Sequence, residues 1–198
     1  MKRLLLVCSA LLLLASCASS SPTLNYYLLD SGAGTSTIVG AGPVNTQNRP
    51  LVLLGDVTLS EFLRQSSLLV QLEDHEMHYA LNHVWAEPLV DAIPKALLKD
   101  LRHHSSEFNF ERGTTEWFGK EGYSVKIQID QFHPNTDQQV VMAGRYWVTR
   151  TDSGETIAKD FSLTDALTQD GYGHAVVKMR RLITSLAMQL LTTIKQNE

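Results

Sequence analysis

The N-terminal residues constrain the fold most, because they separate an export segment from the part of the chain that folds. A Lys-Arg pair is followed by an almost unbroken apolar run over residues 4–14, about the length of a signal-peptide hydrophobic region and too short to span a bilayer. Residues 14–17, Leu-Ala-Ser-Cys, match the bacterial lipobox. We therefore predict a lipoprotein signal peptide over residues 1–16, cleavage between Ser16 and Cys17, and a lipid on Cys17.

The cysteine count limits how the mature chain can be stabilised. Of the two cysteines, Cys8 leaves with the signal and Cys17 carries the lipid, so no disulfide can form within the mature chain. Removing 16 of the 198 residues leaves 182, a length that suits one domain with its own core. The fold must therefore be held by that hydrophobic core alone.

Charge and hydropathy indicate where the mature chain resides. With the signal removed, the 17 basic residues fall to 15 against 21 acidic ones, a formal net charge of −6. This charge disfavours nucleic acid and anionic membrane surfaces as electrostatic partners. No later stretch approaches the ~20 apolar residues of a membrane-spanning helix, so the lipid is the expected membrane link. Ala18 stands where an Asp commonly retains such lipoproteins at the inner membrane, so we expect the outer membrane.

Hydrophobic patterning predicts the elements of the first half of the mature chain. We predict a polar lipidated tether at residues 17–23, and a single domain over residues 24–198 that contains a flexible Gly-rich loop at 31–49. The predicted elements are strands at 24–29 and 51–59, the second of them central in its sheet, a short helical turn at 61–65 capped by Ser60, and a hairpin of 68–72 with 77–80.

The second half combines a meander with two long helices. Strict alternation over residues 123–130 predicts a strand with one buried face. Further predicted elements are a turn at 133–137, a strand at 139–149, a tight turn at 152–154, a strand at 156–163, and helices at 87–104 and 172–194. In the first helix Pro88 suits the first turn, whereas Pro94 should kink the helix or shift its start. The predicted fold class is α/β, with a mixed sheet flanked by two main helices.

The sequence contains no complete motif for nucleotide binding, metal binding or catalysis. Gly32-Ala33-Gly34 follows a strand but lacks the third glycine and the helix of a dinucleotide site. His75 and His78 would point to opposite faces of a strand, so a metal site is disfavoured. No Gly-x-Ser-x-Gly elbow occurs, and the carboxylates are dispersed. We therefore predict no catalytic residue, no metal, and no cofactor beyond the lipid on Cys17.

The segment Trp85-Ala86-Glu87-Pro88-Leu89 is the most distinctive part of the folded chain. In a structural interpretation, Trp85 ends a strand and packs under the helix, and Glu87 caps or faces the positive helix start. In a functional interpretation, the segment is a surface that contacts a partner. The residues alone favour the structural interpretation and leave the other open.

The order of these pieces resembles a known family. After the lipobox come Tyr-Tyr-Leu-Leu at 26–29, Val-Thr-Leu-Ser-Glu-Phe-Leu-Arg at 57–64, and Asn-His-Val-Trp-Ala-Glu-Pro-Leu at 82–89 opening a helix. Together they resemble the ABC-type transport auxiliary lipoproteins of the PqiC (YmbA) type. Two departures stand out: the family often has a Pro where Leu59 or Ser60 stands here, and the Gly-rich loop is long.

The resemblance implies a function in which this chain catalyses no reaction. Such a lipoprotein is expected at the periplasmic face of the outer membrane, as a docking subunit for a periplasmic MCE-domain (mammalian cell entry) protein that moves lipid between membranes and supports envelope integrity. A homo-oligomeric ring is plausible for a cap on a tubular partner. The alternatives are a periplasmic lipid-binding carrier, which would co-purify with lipid, and an envelope hydrolase, which would lose activity when one Ser or His is replaced.

Overall fold

The structure of this chain is a computed structural model that describes residues 23–30, 49–113 and 122–196. The predictions for the signal peptide, Ser16, Cys17 and most of the tether and Gly-rich loop lie outside these residues and remain predictions. The elements are β1 (Asn25–Tyr27), β2 (Leu51–Leu59), a 3₁₀ turn (Glu61–Arg64), β3 (Ser67–Glu73), β4 (Glu76–Trp85), α1 (Leu89–His104), β5 (Asn109–Arg112), β6 (Gly122–Pro134), β7 (Gln139–Arg150), β8 (Thr156–Ala166) and α2 (Tyr172–Gln196).

The described strands form two mixed sheets. The larger has five strands in the order β5-β2-β6-β7-β8, with β5, β2 and β6 parallel and β6, β7 and β8 antiparallel. The smaller has three in the order β1-β4-β3, with β1 parallel and β3 antiparallel to β4. The mixed α/β class is therefore confirmed, whereas the single sheet is wrong. The 3₁₀ turn after β2 carries the chain out of the larger sheet, and Gln71 and Asn135 form an isolated bridge between the two sheets.

The core of the larger sheet follows the predicted pattern. β2 is central, between β5 and β6, and its residues Val52 and Leu54 are buried. In β6 the alternation is confirmed, since Val125, Ile127 and Ile129 are buried while the polar residues between Val125 and Ile129 face out. The short edge strand β5 had no sequence pattern to predict it, because four residues are too few to show a period.

One predicted boundary and one predicted cap differ in the structure. The turn expected at 133–137 begins later, because β6 runs through Pro134 and pairs His133 with Val141. This part of β6 extends beyond its pairing with β2, which ends at Ile129. Ser60 precedes the 3₁₀ turn as predicted, but its side chain makes no capping hydrogen bond.

The two helices cover the core with the predicted stripes. Leu89, Ile93, Leu97 and Leu101 of α1 are all buried. The apolar stripe of α2 is likewise buried: Val176, Met179, Ile183, Leu186, Leu190 and Ile194. α1 begins at Leu89 with Pro88 in the N-cap position, two residues later than predicted, and it continues through Pro94. The expected shift of the helix start by Pro94 is therefore wrong.

Candidate partner-contact site at the strand-to-helix connection

The Trp85–Leu89 segment is the connection between β4 and α1, and its backbone is fixed at several points. The Trp85 N–H donates to the Ser66 carbonyl at 2.7 Å, and the Ala86 N–H donates to the Tyr27 carbonyl at 2.8 Å. The Pro88 carbonyl accepts from the N–H groups of Asp91 and Ala92 at 2.9 and 3.0 Å. The connection therefore has one defined conformation, held by β1, by the start of β3 and by the first turn of α1.

The side chains of this segment divide into buried anchors and exposed residues. Trp85 and Leu89 are 7% and 4% exposed and belong to the hydrophobic core. Ala86 and Pro88 are exposed, and Glu87 is half-buried. As in the structural interpretation, Trp85 is the last residue of a strand, β4, and its side chain is part of the core. The two buried side chains hold the three residues between them at the surface.

Of the two roles expected for Glu87, capping the helix or facing its positive start, the structure does not show the first. No side-chain capping hydrogen bond is made at the start of α1, because the N-cap residue is Pro88, which has no side-chain acceptor. The carboxylate of Glu87 instead pairs with the ammonium group of Lys95 on α1. The acidic group within the first turn is Asp91, where it interacts favourably with the positive end of the helix dipole.

A charged network joins the segment after β1 to both helices. Arg180 on α2 donates from Nη1 and Nη2 to the two carboxylate oxygens of Asp100 on α1, both at 2.6 Å. The Thr184 hydroxyl also donates to Asp100, at 2.8 Å. Asp30, which follows β1, contacts Lys99 at 3.0 Å and Arg180 at 3.6 Å. This network was missed in the sequence because its members lie far apart along the chain.

The electrostatics of Asp100 follow from that geometry. Burial alone would raise the pKa of this carboxyl group, since Asp100 is only 6% exposed. The hydrogen bonds from Arg180 and Thr184, together with the Arg180 charge, outweigh burial and hold the pKa below its ordinary value. Asp100 is therefore an ionised, structurally engaged carboxylate.

A second cluster fastens β1 and β4 to the start of α2. The Tyr27 hydroxyl lies 2.8 Å from His83 Nδ1, and the His83 ring stacks on Tyr172 with centroids 3.9 Å apart. His83 is thus engaged with two aromatic side chains. Among the described residues, no three His, Cys, Asp or Glu side chains are placed to hold a metal ion.

An open groove adjoins the beginning of α1. The second half of β2, including Gly55 and Asp56, lines it together with Arg112 and Gly113 at the end of β5, and Arg64 and Val90 complete its rim. The two guanidinium groups and the exposed carboxylate give this rim hydrogen-bonding groups of both signs. It was not predicted, since its residues come from four separate segments.

These observations define the class of protein. It is a mixed α/β domain with two sheets and two long helices, and its distinctive segment is a strand-to-helix connection with one defined conformation and a partly exposed surface. Of the two long helices in the described ranges, neither is long and apolar enough to cross a membrane. Residues 27–190 match the family model of the ABC-type transport auxiliary lipoprotein component. The chain belongs to this family, which confirms the resemblance found in the sequence.

Relatives and solved structures agree with that assignment. The intermembrane transport lipoproteins PqiC of Escherichia coli (strain K12) and Shigella flexneri are each 25% identical over 193 residues, covering 96% of this chain and 97% of the relative. A crystal structure of an uncharacterized protein has a TM-score of 0.71 at 20% identity, covering 87% of this chain and 99% of its own. Protein XCC0632 from Xanthomonas campestris has a TM-score of 0.64 at 11% identity, covering 89% and 94%. The two structures share the fold.

Proposed function

We propose that this chain is a lipid-anchored docking subunit of an intermembrane lipid transport system. Cys17 carries the lipid, the periplasmic face of the outer membrane is its location, and an MCE-domain periplasmic protein is its partner. The subunit carries out no reaction, and its role is to hold the transport machinery at the membrane and so to support envelope integrity. Self-association into a ring would match a tubular partner.

The observation that carries this proposal is the similarity to PqiC over nearly the whole chain. A match of 25% identity over 96% of the chain includes the lipobox region as well as the folded domain. The relative is named an intermembrane transport lipoprotein, which supports transport between membranes as the process this chain serves. Family membership supports an auxiliary place in that process.

The strand-to-helix connection supplies a surface suited to docking. Trp85 and Leu89 are anchored in the core, so Ala86, Glu87 and Pro88 are presented with little conformational freedom. A preorganised surface loses less entropy on binding than a flexible loop. We propose that these three residues contact the partner, with Glu87 providing the charged group.

The anchor is tested by the mass of the N-terminal peptide isolated from cells. We expect residues 1–16 to be absent and Cys17 to carry a diacylglyceryl group with a further acyl chain on its amino group. A Cys17→Ser variant should keep the signal residues and lose the added mass. An unmodified Cys17 in the mature wild-type chain would refute the anchor.

The role in envelope integrity is tested by deletion in a strain that lacks redundant transport systems. Loss of the chain should increase sensitivity to detergent and to other envelope stress, and the wild-type chain should restore resistance. The Cys17→Ser chain should fail to restore it at equal abundance. Unchanged sensitivity after deletion, or full restoration by the unanchored chain, would argue against the proposed role.

A further inference from the structure

Strand β1 and the two residues that flank it form an exposed apolar stripe made of Leu24, Tyr26 and Leu28. These side chains are 47%, 66% and 53% exposed. Of the residues that alternate with them, Tyr27 packs against the core and Leu29 is 3% exposed, whereas Asn25 is exposed. A sheet face directed at water normally carries polar residues at these positions. An apolar outward face therefore indicates a surface that contacts another molecule or a membrane.

The stripe lies at a sheet edge. In the described part of the chain, β1 is an outer strand of the order β1-β4-β3. Of the nine large apolar side chains exposed in the described ranges, three therefore belong to this edge.

The chain length before β1 keeps this edge near the anchor. Six residues separate Cys17 from Leu24, and the seven Cα-to-Cα steps between them span at most about 25 Å even when fully extended. Residues 18–29 include no charged side chain. The acidic balance of the mature chain disfavours electrostatic attraction to anionic lipid, but it does not oppose contact through an uncharged apolar stripe.

We propose that the apolar stripe rests on the membrane surface at the level of the lipid headgroups. This inference rests on the proposed lipid anchor at Cys17. Leucine and tyrosine suit this location, because aliphatic side chains enter the acyl boundary while a tyrosine hydroxyl stays among the polar headgroups. The contact adds to the covalent anchor and fixes the orientation of the domain on the membrane.

The test uses the chain from Cys17 to Glu198, in which Cys17 is the sole cysteine. Its thiol is coupled to a maleimide lipid in vesicles of phosphatidylethanolamine with a minority of phosphatidylglycerol, with or without bromine on the acyl chains. Tyr26→Trp places a fluorophore in the stripe, and Val177→Trp places a matched one on α2, where Val177 is 52% exposed. Chemical coupling makes the result independent of whether cells acylate Cys17.

We expect brominated lipid to quench the Tyr26→Trp chain beyond the wild-type background and the Val177→Trp chain no more than that background. Replacing Leu24 and Leu28 by Ser in the Tyr26→Trp chain should abolish the extra quenching. Equal quenching of both reporters, or none above background, would overturn the proposal. The proposal would also be overturned if the Tyr26→Trp emission shifted to the blue as protein density rose but was not quenched, because the stripe would then contact a second copy of the chain. Blue-shifted Tyr26→Trp emission in the uncoupled monomer would overturn it as well, and would assign the contact to residues 31–48.

Discussion

At the residue scale, Asp100 links the two helices through one side chain. It accepts hydrogen bonds from Arg180 and Thr184 of α2 while its own backbone belongs to α1. Lys99 and Asp30 extend the same network to the end of β1. The fold therefore has a largely buried ionic contact between its main helices, in addition to the apolar core.

Replacing Asp100 by Asn should destabilise the fold and alter its response to acid. We expect a loss of roughly 3 kcal/mol at neutral pH, because the largely buried Arg180 loses its close carboxylate partner and keeps only the longer contact to Asp30 at 3.6 Å. The Asp100 pKa is lowered in the folded state, so its contribution is present above the ordinary value of 3.8 and is lost as pH falls through the folded-state pKa. Urea unfolding across this pH range measures both effects.

The matched control for that prediction is Asp160→Asn, which breaks the exposed pair between Asp160 and Arg145. Its effect on stability should be small, because solvent screens an exposed ion pair. If the two variants lost equal stability, or if the gap between wild type and Asp100→Asn stayed constant down to strongly acidic pH, the assigned role of Asp100 would be wrong.

Trp85 should prove to be a structural anchor whose removal costs the domain its stability. Trp85→Ala deletes a 7% exposed indole from the core, and such truncations cost roughly 3–5 kcal/mol. Trp85→Phe keeps most of the buried ring and should lose much less. Thermal unfolding followed by circular dichroism makes the comparison. A melting temperature unchanged by Trp85→Ala would contradict the packing described here.

At the element scale, periodic segments could be predicted from the sequence and partnerships between strands could not. The alternation in β6 and the stripes of both helices are local patterns, and they placed those elements correctly. β5 has four residues and pairs with β2 among the described strands, so no local pattern marks it. The division into two sheets depends on which strands pair across long separations, which periodicity does not encode. The late turn after Pro134 likewise depends on how far β6 pairs with β7.

The pairing of β6 with β7 predicts a strict requirement for glycine at position 144. The register shifts just beyond the Ile129 and Gly144 pair, and a Cβ atom on Gly144 would overlap the backbone carbonyl of Gln128. Gly144→Ala should therefore destabilise the domain by about 1–3 kcal/mol, since the neighbouring backbone must move. Denaturant unfolding measures the change.

Gly173→Ala in the first turn of α2 is the matched control for Gly144→Ala. Its added Cβ would lie at an ordinary 4.0 Å from Tyr27 Cε1, and alanine favours a helix over glycine. This variant should be neutral or more stable than wild type. If Gly144→Ala were as stable as Gly173→Ala, the close approach of β6 and β7 would be refuted.

At the scale of the whole molecule, the sequence was most informative about class and least informative about surfaces. The lipobox and the segment at 82–89 were sufficient to suggest the family that residues 27–190 then matched. The exposure of Ala86 and Pro88, the pairing of Glu87 with Lys95, and the charged network around Asp100 depend on how distant elements pack. A contact surface is a property of that packing, so it could not be derived from spacing.

The central proposal is that an anchored domain acts by contacting an MCE-domain protein, and capture of that protein from intact cells tests it most directly. Chains isolated after mild cross-linking should recover it with wild type and with the control Glu155→Lys, which changes an exposed charge in the β7–β8 turn. Recovery should fall with Glu87→Lys at unchanged stability. Absence of any MCE-domain protein from the captured material, with the wild-type chain anchored and abundant, would contradict the account.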